Sequence, residues 1–509
     1  MKTYYDFMNE ISADELYEGL LGYGMFSEKL PPVFTAVPFL NYAKTNPGFK
    51  KDNQDYVTFR SMRNINIPRL MGIPNPFQYE KLCAELKSSW SKILDHFQCH
   101  TVGQSYRISR IHIRKMYDNN TKSYKPSLFE MNYKNWRSDG SPENELLIKN
   151  SKASKYVVHA DISTCFPSIY SHSLTWALVG KDVAKKSRGG KIWFNAIDKA
   201  CQRMKNGETH GLLIGPHSSN LLAEIILVAI DKHLWDQGYK FYRNIDDYDC
   251  YVDSYETAQK FLNALEFELR QFDLPMNHKK TVIEELPVSS TQHWIHQLNA
   301  VQIIASYGKT SYKEVNNYLD VAIKLTDQVK DAAVLKYAIK TLGGSESLTD
   351  NGKQVAAARI MHLAVLYPYL VSLMEKYVFE KYTVQLSKII AFSNALYGTS
   401  KRTNNFEGMC YAVYFSLKYC FDIKEIDCKD LITTGDCLCL LFAWLYYRKR
   451  EGAEMITLRN EAIRLNDPSL IGRNWLFVYE SLDATDLDND WQVMKKKGIS
   501  FLTPNILMR

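Results

Sequence analysis

The 509-residue sequence predicts an α+β part over residues 1–290, followed by an all-α part over residues 291–509. Three observations carry this prediction. An apolar, strand-like run, Lys155-Tyr-Val-Val-His-Ala160, ends in an acid, Asp161. A second strand-like region, Lys240 to Val252, is broken by the adjacent acids Asp246 and Asp247, which supply turn chemistry between two aromatic and branched runs. After Val288 the strand signal ends and helical periodicity takes over.

Bulk properties narrow the class. The length exceeds one ordinary core, so two or three domains are expected. With 46% hydrophobic residues and no low-complexity tract, the chain is that of a folded protein. A net charge of +7 permits a polyanionic partner without requiring one. Met1 to Ser27 lacks the basic-then-apolar layout of a signal peptide. The longest apolar run, Cys437 to Tyr447, falls short of the roughly 20 residues that span a bilayer. A cytoplasmic protein without membrane attachment is expected. The ten cysteines show neither zinc-site spacing nor the density of a secreted scaffold, so neither zinc nor disulfides are expected.

Taken in order, the N-terminal stretch holds Tyr4, Tyr5, Tyr17, Tyr23, Tyr42 and Tyr56, each a core aromatic or a nucleophilic phenol. Leu82 to Phe97 has the pattern of one amphipathic helix. Gln104 to Lys115 alternates as a strand, placing Arg110, His112 and Arg114 on one face, either solvated or turned toward phosphate. Arg69, in Asn66-Ile-Pro-Arg-Leu-Met-Gly-Ile-Pro-Asn-Pro76, is a second such cation, and Thr121 to Glu143 reads as an irregular surface loop. Glu208 to Asn220 is a glycine-punctuated turn feeding a helix with apolar positions Leu221, Leu222, Ile225, Ile226, Ala229, Ile230 and Leu234. A lone Asp-Asp is usually a plain surface turn, since a hard-cation site gathers oxygens from several elements. Here Asp161 supplies the second element. Leu274-Pro-Met-Asn-His-Lys-Lys-Thr281 follows, ending in a lysine pair. Beyond Val288, Ser311-Tyr-Lys-Glu314 reads as a capping box, Gln354 to Leu366 as a helix, Pro368 as the start of another, and Asp436 to Arg450 as a buried apolar one.

The chain therefore gives strand and acid, glycine loop and helix, acid-acid hairpin, then lysine turn. This order and spacing resemble motifs A, B, C and D of reverse transcriptase palms. Thr209-His-Gly-Leu-Leu-Ile-Gly-Pro216, followed by Ser219, Leu221 and Glu224, replaces the usual Pro-Gln-Gly core of motif B. That variant resembles the abortive-infection (Abi) reverse transcriptases of bacteria, the AbiK and AbiA type, prophage-encoded members included. Ser171 to Gly180 and Asn66 to Pro76 agree with it. The resemblance spans about Val157 to Thr281 and, more weakly, Arg63 to Tyr79.

The resemblance implies a reverse transcriptase palm and fingers followed by an α-solenoid. It implies Asp161, Asp246 and Asp247 as catalytic, metal-holding carboxylates, with the Ile162 carbonyl completing a site for Mg2+, or Mn2+ in its place. Phe166 would be the gate that excludes a 2′-hydroxyl. Gly211, Gly215, Pro216, Arg69, Arg110 and Lys280 would bind the nucleotide. The activity implied is antiphage, protein-primed, template-independent DNA synthesis from dNTPs. One unidentified tyrosine would act as primer, single-stranded DNA would stay attached to the protein, and the chain would form a homo-oligomer. Two departures, Asn244 for the usual tyrosine of motif C and Ile214 for the glutamine of motif B, weaken primer and template handling but spare the acids. The rivals are a template-dependent, RNA-directed DNA polymerase and a catalytically silent nucleic-acid-binding module. Three clustered acids speak against the silent module, which has no use for them.

Overall fold

A computed structural model of the chain describes residues 3–50, 52–64, 67–102, 109, 111–119, 121–130, 148–149, 152–187, 189–288, 292–301, 308–448 and 452–507. Three helices open it: α1 (Tyr4–Asn9), α2 (Ala13–Tyr23) and α3 (Val37–Thr45). Thr3 and Ser12 start the first two through capping boxes closed by Asp6 and Glu15. An antiparallel hairpin, β1 (Val57–Asn64) and β2 (Ile67–Ile73), comes next. Helices α4 (Pro76–Ser88) and α5 (Trp90–Thr101) occupy the stretch that the sequence predicts as one helix. The apolar period runs through the break, with Leu82, Leu86, Ile93 and Phe97 all buried, so the pattern hides the non-helical backbone of Ser89 (φ -102°, ψ 4°).

Of the strand expected over Gln104 to Lys115, His112–Ile113 is found, paired with Phe129–Glu130, and Arg110 lies outside the described residues. The expected loop over Thr121 to Glu143 begins with a short strand, Ser123–Lys125, paired with Met116–Asp118.

The centre of the chain is a four-stranded antiparallel sheet. Strand β3 (Tyr156–Asp161) is followed by helices α6 (Cys165–Ser168), α7 (Ser171–Val179), α8 (Trp193–Arg203) and α9 (His217–Asp236). Then come β4 (Phe241–Asn244), β5 (Asp247–Val252), α10 (Tyr255–Gln271) and β6 (Val282–Glu285). The sheet order is β4-β5-β3-β6. Alternation sends Val158, Ala160, Tyr248 and Cys250 into the core beneath, where α10 crosses β3 and β5. Cross-strand pairing puts Asp161 opposite Asp247 and His159 opposite Asp249, on the other face. Helix α9 is buried around most of its circumference, between α5, α7 and α10, which explains its nearly continuous apolar sequence.

Beyond residue 288 the described residues are helical. The helices include α11 (Tyr312–Val329), α12 (Ala333–Gly344), α13 (Asp350–Leu366), α14 (Leu386–Arg402), α15 (Phe406–Tyr419), α16 (Cys437–Tyr447), α17 (Ile471–Ser481) and α18 (Asn489–Lys496). Ser311 and Glu314 form the capping box of α11. Pro368 starts a short 3-10 turn, Pro368–Leu373, which passes into a π turn, Glu375–Phe379, where a regular helix is expected from the sequence. Later helices return to the beginning of the chain: α15, α16 and α17 contact β1. Glu407 of α15, buried, accepts hydrogen bonds from the Ser61 hydroxyl (3.2 Å) and the Met62 amide (2.6 Å). Phe501 packs on Phe26, Phe39, Trp475 and Tyr479, and Trp491 packs on Phe77. Backbone bonds join Thr35 to Phe501 and Thr503 to Val33. Among the described residues no helix is long and apolar enough to cross a membrane.

Candidate active site

Strand β3 delivers Asp161 to the edge of the sheet's open face. The β4–β5 hairpin closes with a two-residue turn, Ile245-Asp246, because Asn244 pairs with Asp247. The Ile162 amide donates to the Asp246 carbonyl (3.0 Å), locking the end of β3 to the turn. The result is one carboxylate oxygen from each of Asp161, Asp246 and Asp247 within 4.8 Å of the others. Asp161 is buried, Asp246 half-buried, and Asp247 exposed. Ile245 holds φ at +62°. For a β-branched residue that left-handed backbone costs on the order of 1–3 kcal/mol and must be held by its surroundings.

The trio is short of positive charge. Burial and the neighbouring Asp161 push Asp246 above the ordinary carboxylate range. Burial, a hydrogen bond with Asp161, and the charges of Asp246 and Asp161 raise Asp247 to about 7. Lys280 opposes both shifts, its Nζ lying 3.2 Å from Asp161 Oδ2. Arg69, half-buried on β2, lowers Asp246 through its charge. An all-oxygen donor set that repels itself in this way fits a hard divalent cation, with Asp161, Asp246 and Asp247 to hold it. Ile162, buried at the end of β3, sits beside them.

The turn before β6 is stitched to the same strand end. Asn277 Nδ2 donates to Asp161 Oδ2 (2.7 Å), its amide donates to the Asp161 carbonyl (2.7 Å), and the Ser163 amide donates to the Pro275 carbonyl (2.8 Å). Asn277 stood in the polar segment of the sequence without any mark of this role.

Phe166 lies half-buried in α6, and its carbonyl accepts the Leu212 amide (2.8 Å), which joins α6 to the glycine loop. Gly211 (φ +83°) and Gly215 (φ +137°) are required by close approach of the protein's own backbone. A Cβ on Gly211 would meet the Pro167 oxygen at 3.0 Å, and one on Gly215 would meet the Gly72 oxygen at 3.0 Å. The Gly72 amide donates to the Ile214 carbonyl (2.8 Å), seating the loop on β2. Pro216 then precedes α9 as its N-cap. Among the N-terminal tyrosines, Tyr4 donates to Glu224 and Tyr17 to Glu80 (3.0 Å each), Tyr42 is buried, and Tyr5 and Tyr56 are half-buried. Tyr23 is exposed, one residue before Gly24, whose carbonyl accepts the His217 amide.

Arg243, too, carries no mark of its role in the sequence. Its guanidinium is fully buried beneath the hairpin, between Glu224 and Asp231 of α9. The available signal was the pair of acids one heptad apart on an apolar helix, where only a buried cation makes them tolerable.

No family model matches the chain, and no curated protein matches it. Solved structures that it is similar to include telomerases. Apo telomerase from Candida tropicalis is 13% identical over 75% of this chain and 69% of its own, with a TM-score of 0.32. Telomerase from Candida albicans in complex with the TWJ fragment of telomeric RNA is 10% identical over 87% and 67%, with a TM-score of 0.31. For the C. tropicalis enzyme truncated from its C-terminal domain the figures are 15%, 49% and 54%, with a TM-score of 0.29, so the chain spans about half of that structure's length. Likeness at this level transfers neither fold nor activity. The functional reading rests on the site.

Proposed function

We propose that the chain is a nucleotidyltransferase of reverse transcriptase type that polymerises DNA from dNTPs. The observation that supports this reading best is the carboxylate trio of Asp161, Asp246 and Asp247, gathered within 4.8 Å on a paired strand end and hairpin turn. Asp161 and Asp246 would hold the metal, with Asp247 adjacent and the Ile162 carbonyl completing the set. Magnesium, or manganese in its place, would supply the charge that steadies the triphosphate and activates the attacking hydroxyl. Lys280, half-exposed beside Asp161, is the cation for the leaving pyrophosphate, and Arg69 with Arg110 for the rest of the triphosphate. Phe166 selects against a 2′-hydroxyl, and Gly211, Gly215 and Pro216 shape the floor of the nucleotide site.

The finer reading follows the resemblance to Abi enzymes. A tyrosine hydroxyl loses its proton to solvent as its oxygen attacks the α-phosphorus of a dNTP, an O–P bond forms, the bond to the β-phosphate oxygen breaks, and pyrophosphate leaves. Single-stranded DNA then grows without a template on a homo-oligomeric protein, in bacterial antiphage defence. Asn244 and Ile214, in place of residues that handle primer and template, support that version over template copying. Residues 1–290 supply palm and fingers, and residues 291–509 the helical part.

The test is incubation of the protein with labelled dNTPs and Mg2+, without template or primer, beside Asp246→Ala. Protease-sensitive label that travels with the wild-type protein and is absent from the variant supports the proposal. Label that needs added template and primer overturns the untemplated mechanism. Absence of label under both conditions removes the enzyme reading.

A further inference from the structure

We propose that Arg243 is a positioning residue for the hairpin that carries Asp246 and Asp247. Its guanidinium, anchored by two acids of α9, holds the Ile245 carbonyl and so fixes where those carboxylates are presented. The inference rests on the reading of the trio as a metal site.

The geometry is fully used. A guanidinium has five N–H donors in one rigid plane, and here each has an acceptor. Nε donates to Asp231 (3.0 Å), and Nη2 donates to Asp231 Oδ2 (2.7 Å) and Glu224 Oε2 (3.1 Å). Nη1 donates to Glu224 Oε1 (2.6 Å) and to the Ile245 carbonyl (2.9 Å). Four of the five bonds anchor the group, and the fifth reaches the turn. Tyr248, opposite Arg243 across the hairpin, donates its phenol to Asp231 Oδ1 (3.1 Å), so both strands are tied to one carboxylate. Tyr4 of α1 donates to Glu224 from the far side (3.0 Å).

Stability alone does not account for this network. Replacing a buried ion pair with apolar side chains of similar volume is commonly neutral or stabilising. The turn, in contrast, needs outside support. A two-residue hairpin turn with positive φ at its first position favours glycine, and Ile245 stands there. The Arg243 bond supplies what the local sequence lacks, one residue before Asp246. Lysine, a point charge with three donors, cannot reproduce the planar fork.

The experiment compares wild type, Arg243→Lys and Arg243→Lys/Ile245→Gly in the whole chain. It measures Mn2+ affinity by EPR titration, melting temperature, and hydrogen exchange of peptides covering 242–250 and Ile162. Arg243→Lys is expected to bind Mn2+ about 10–100-fold more weakly, with faster exchange confined to the hairpin and Ile162. The added glycine, which needs no support at positive φ, should restore most of both. Unchanged exchange in a folded Arg243→Lys protein overturns the proposal, as does a loss that Ile245→Gly leaves in place. Should Arg243→Lys fail to fold, Glu224→Gln, which keeps the Arg243–Asp231 pair, decides by the same readings. Asp246→Ala separates the two ideas: if it binds Mn2+ as wild type does, the metal reading fails, and the exchange data alone judge Arg243.

Discussion

Asp247 couples the site to pH. Its carboxyl is raised from an ordinary 3.8 to about 7 by burial and by its acidic neighbours, so between those values the folded chain holds a proton that the unfolded chain releases. Stability of the metal-free protein should therefore fall as pH rises from about 4 to about 7, then level off. Buried Glu407, raised to about 7, acts with the same sign. Asp247→Asn should remove part of the fall, on the order of a degree or two in melting temperature. Melting curves in chelator across that range test this; an equal slope in the variant would show that Asp247 does not titrate there. At this scale the acids were legible because an acid that ends an apolar strand contradicts its surroundings. Arg243 and Asn277 were not, because their partners, Glu224, Asp231 and Asp161, are distant in sequence and single residues leave no period.

The glycine loop and the β1–β2 hairpin form one joint at the level of elements. Gly215→Ala would place a methyl 3.0 Å from the Gly72 oxygen at a φ of +137°. It should cost roughly 1–3 kcal/mol and lower nucleotide incorporation with it. Calorimetry beside the incorporation assay checks this, and a variant with unchanged melting would mean that the loop yields freely. The central strands, α9 and the Ser311 capping box were readable because period and cap chemistry are local signals. The helix break at Ser89 and the π turn after Pro368 were not: in both, buried apolar residues continue through the irregularity and mask it.

Across the whole molecule, the sequence shows a change from strand signal to helical periodicity after Val288 but not that the later helices return to the first strands. Packing between distant segments has no periodic trace. The consequence is measurable. A fragment of residues 1–290 would leave Phe26, Phe39 and Phe77 without Phe501 and Trp491, and should be insoluble or bind hydrophobic dye strongly. A soluble fragment with a cooperative melt would show the helical part to be dispensable for folding. In the full chain Phe501→Ala should cost about 3–5 kcal/mol, read by denaturant titration. The backbone bonds that join Thr35 to Phe501 and Val33 to Thr503 also bear on synthesis. Segments near the start emerge from the ribosome long before the residues that cover them. The growing chain must keep those aromatics from aggregating while it waits, so the yield in a cell should rise with chaperone supply.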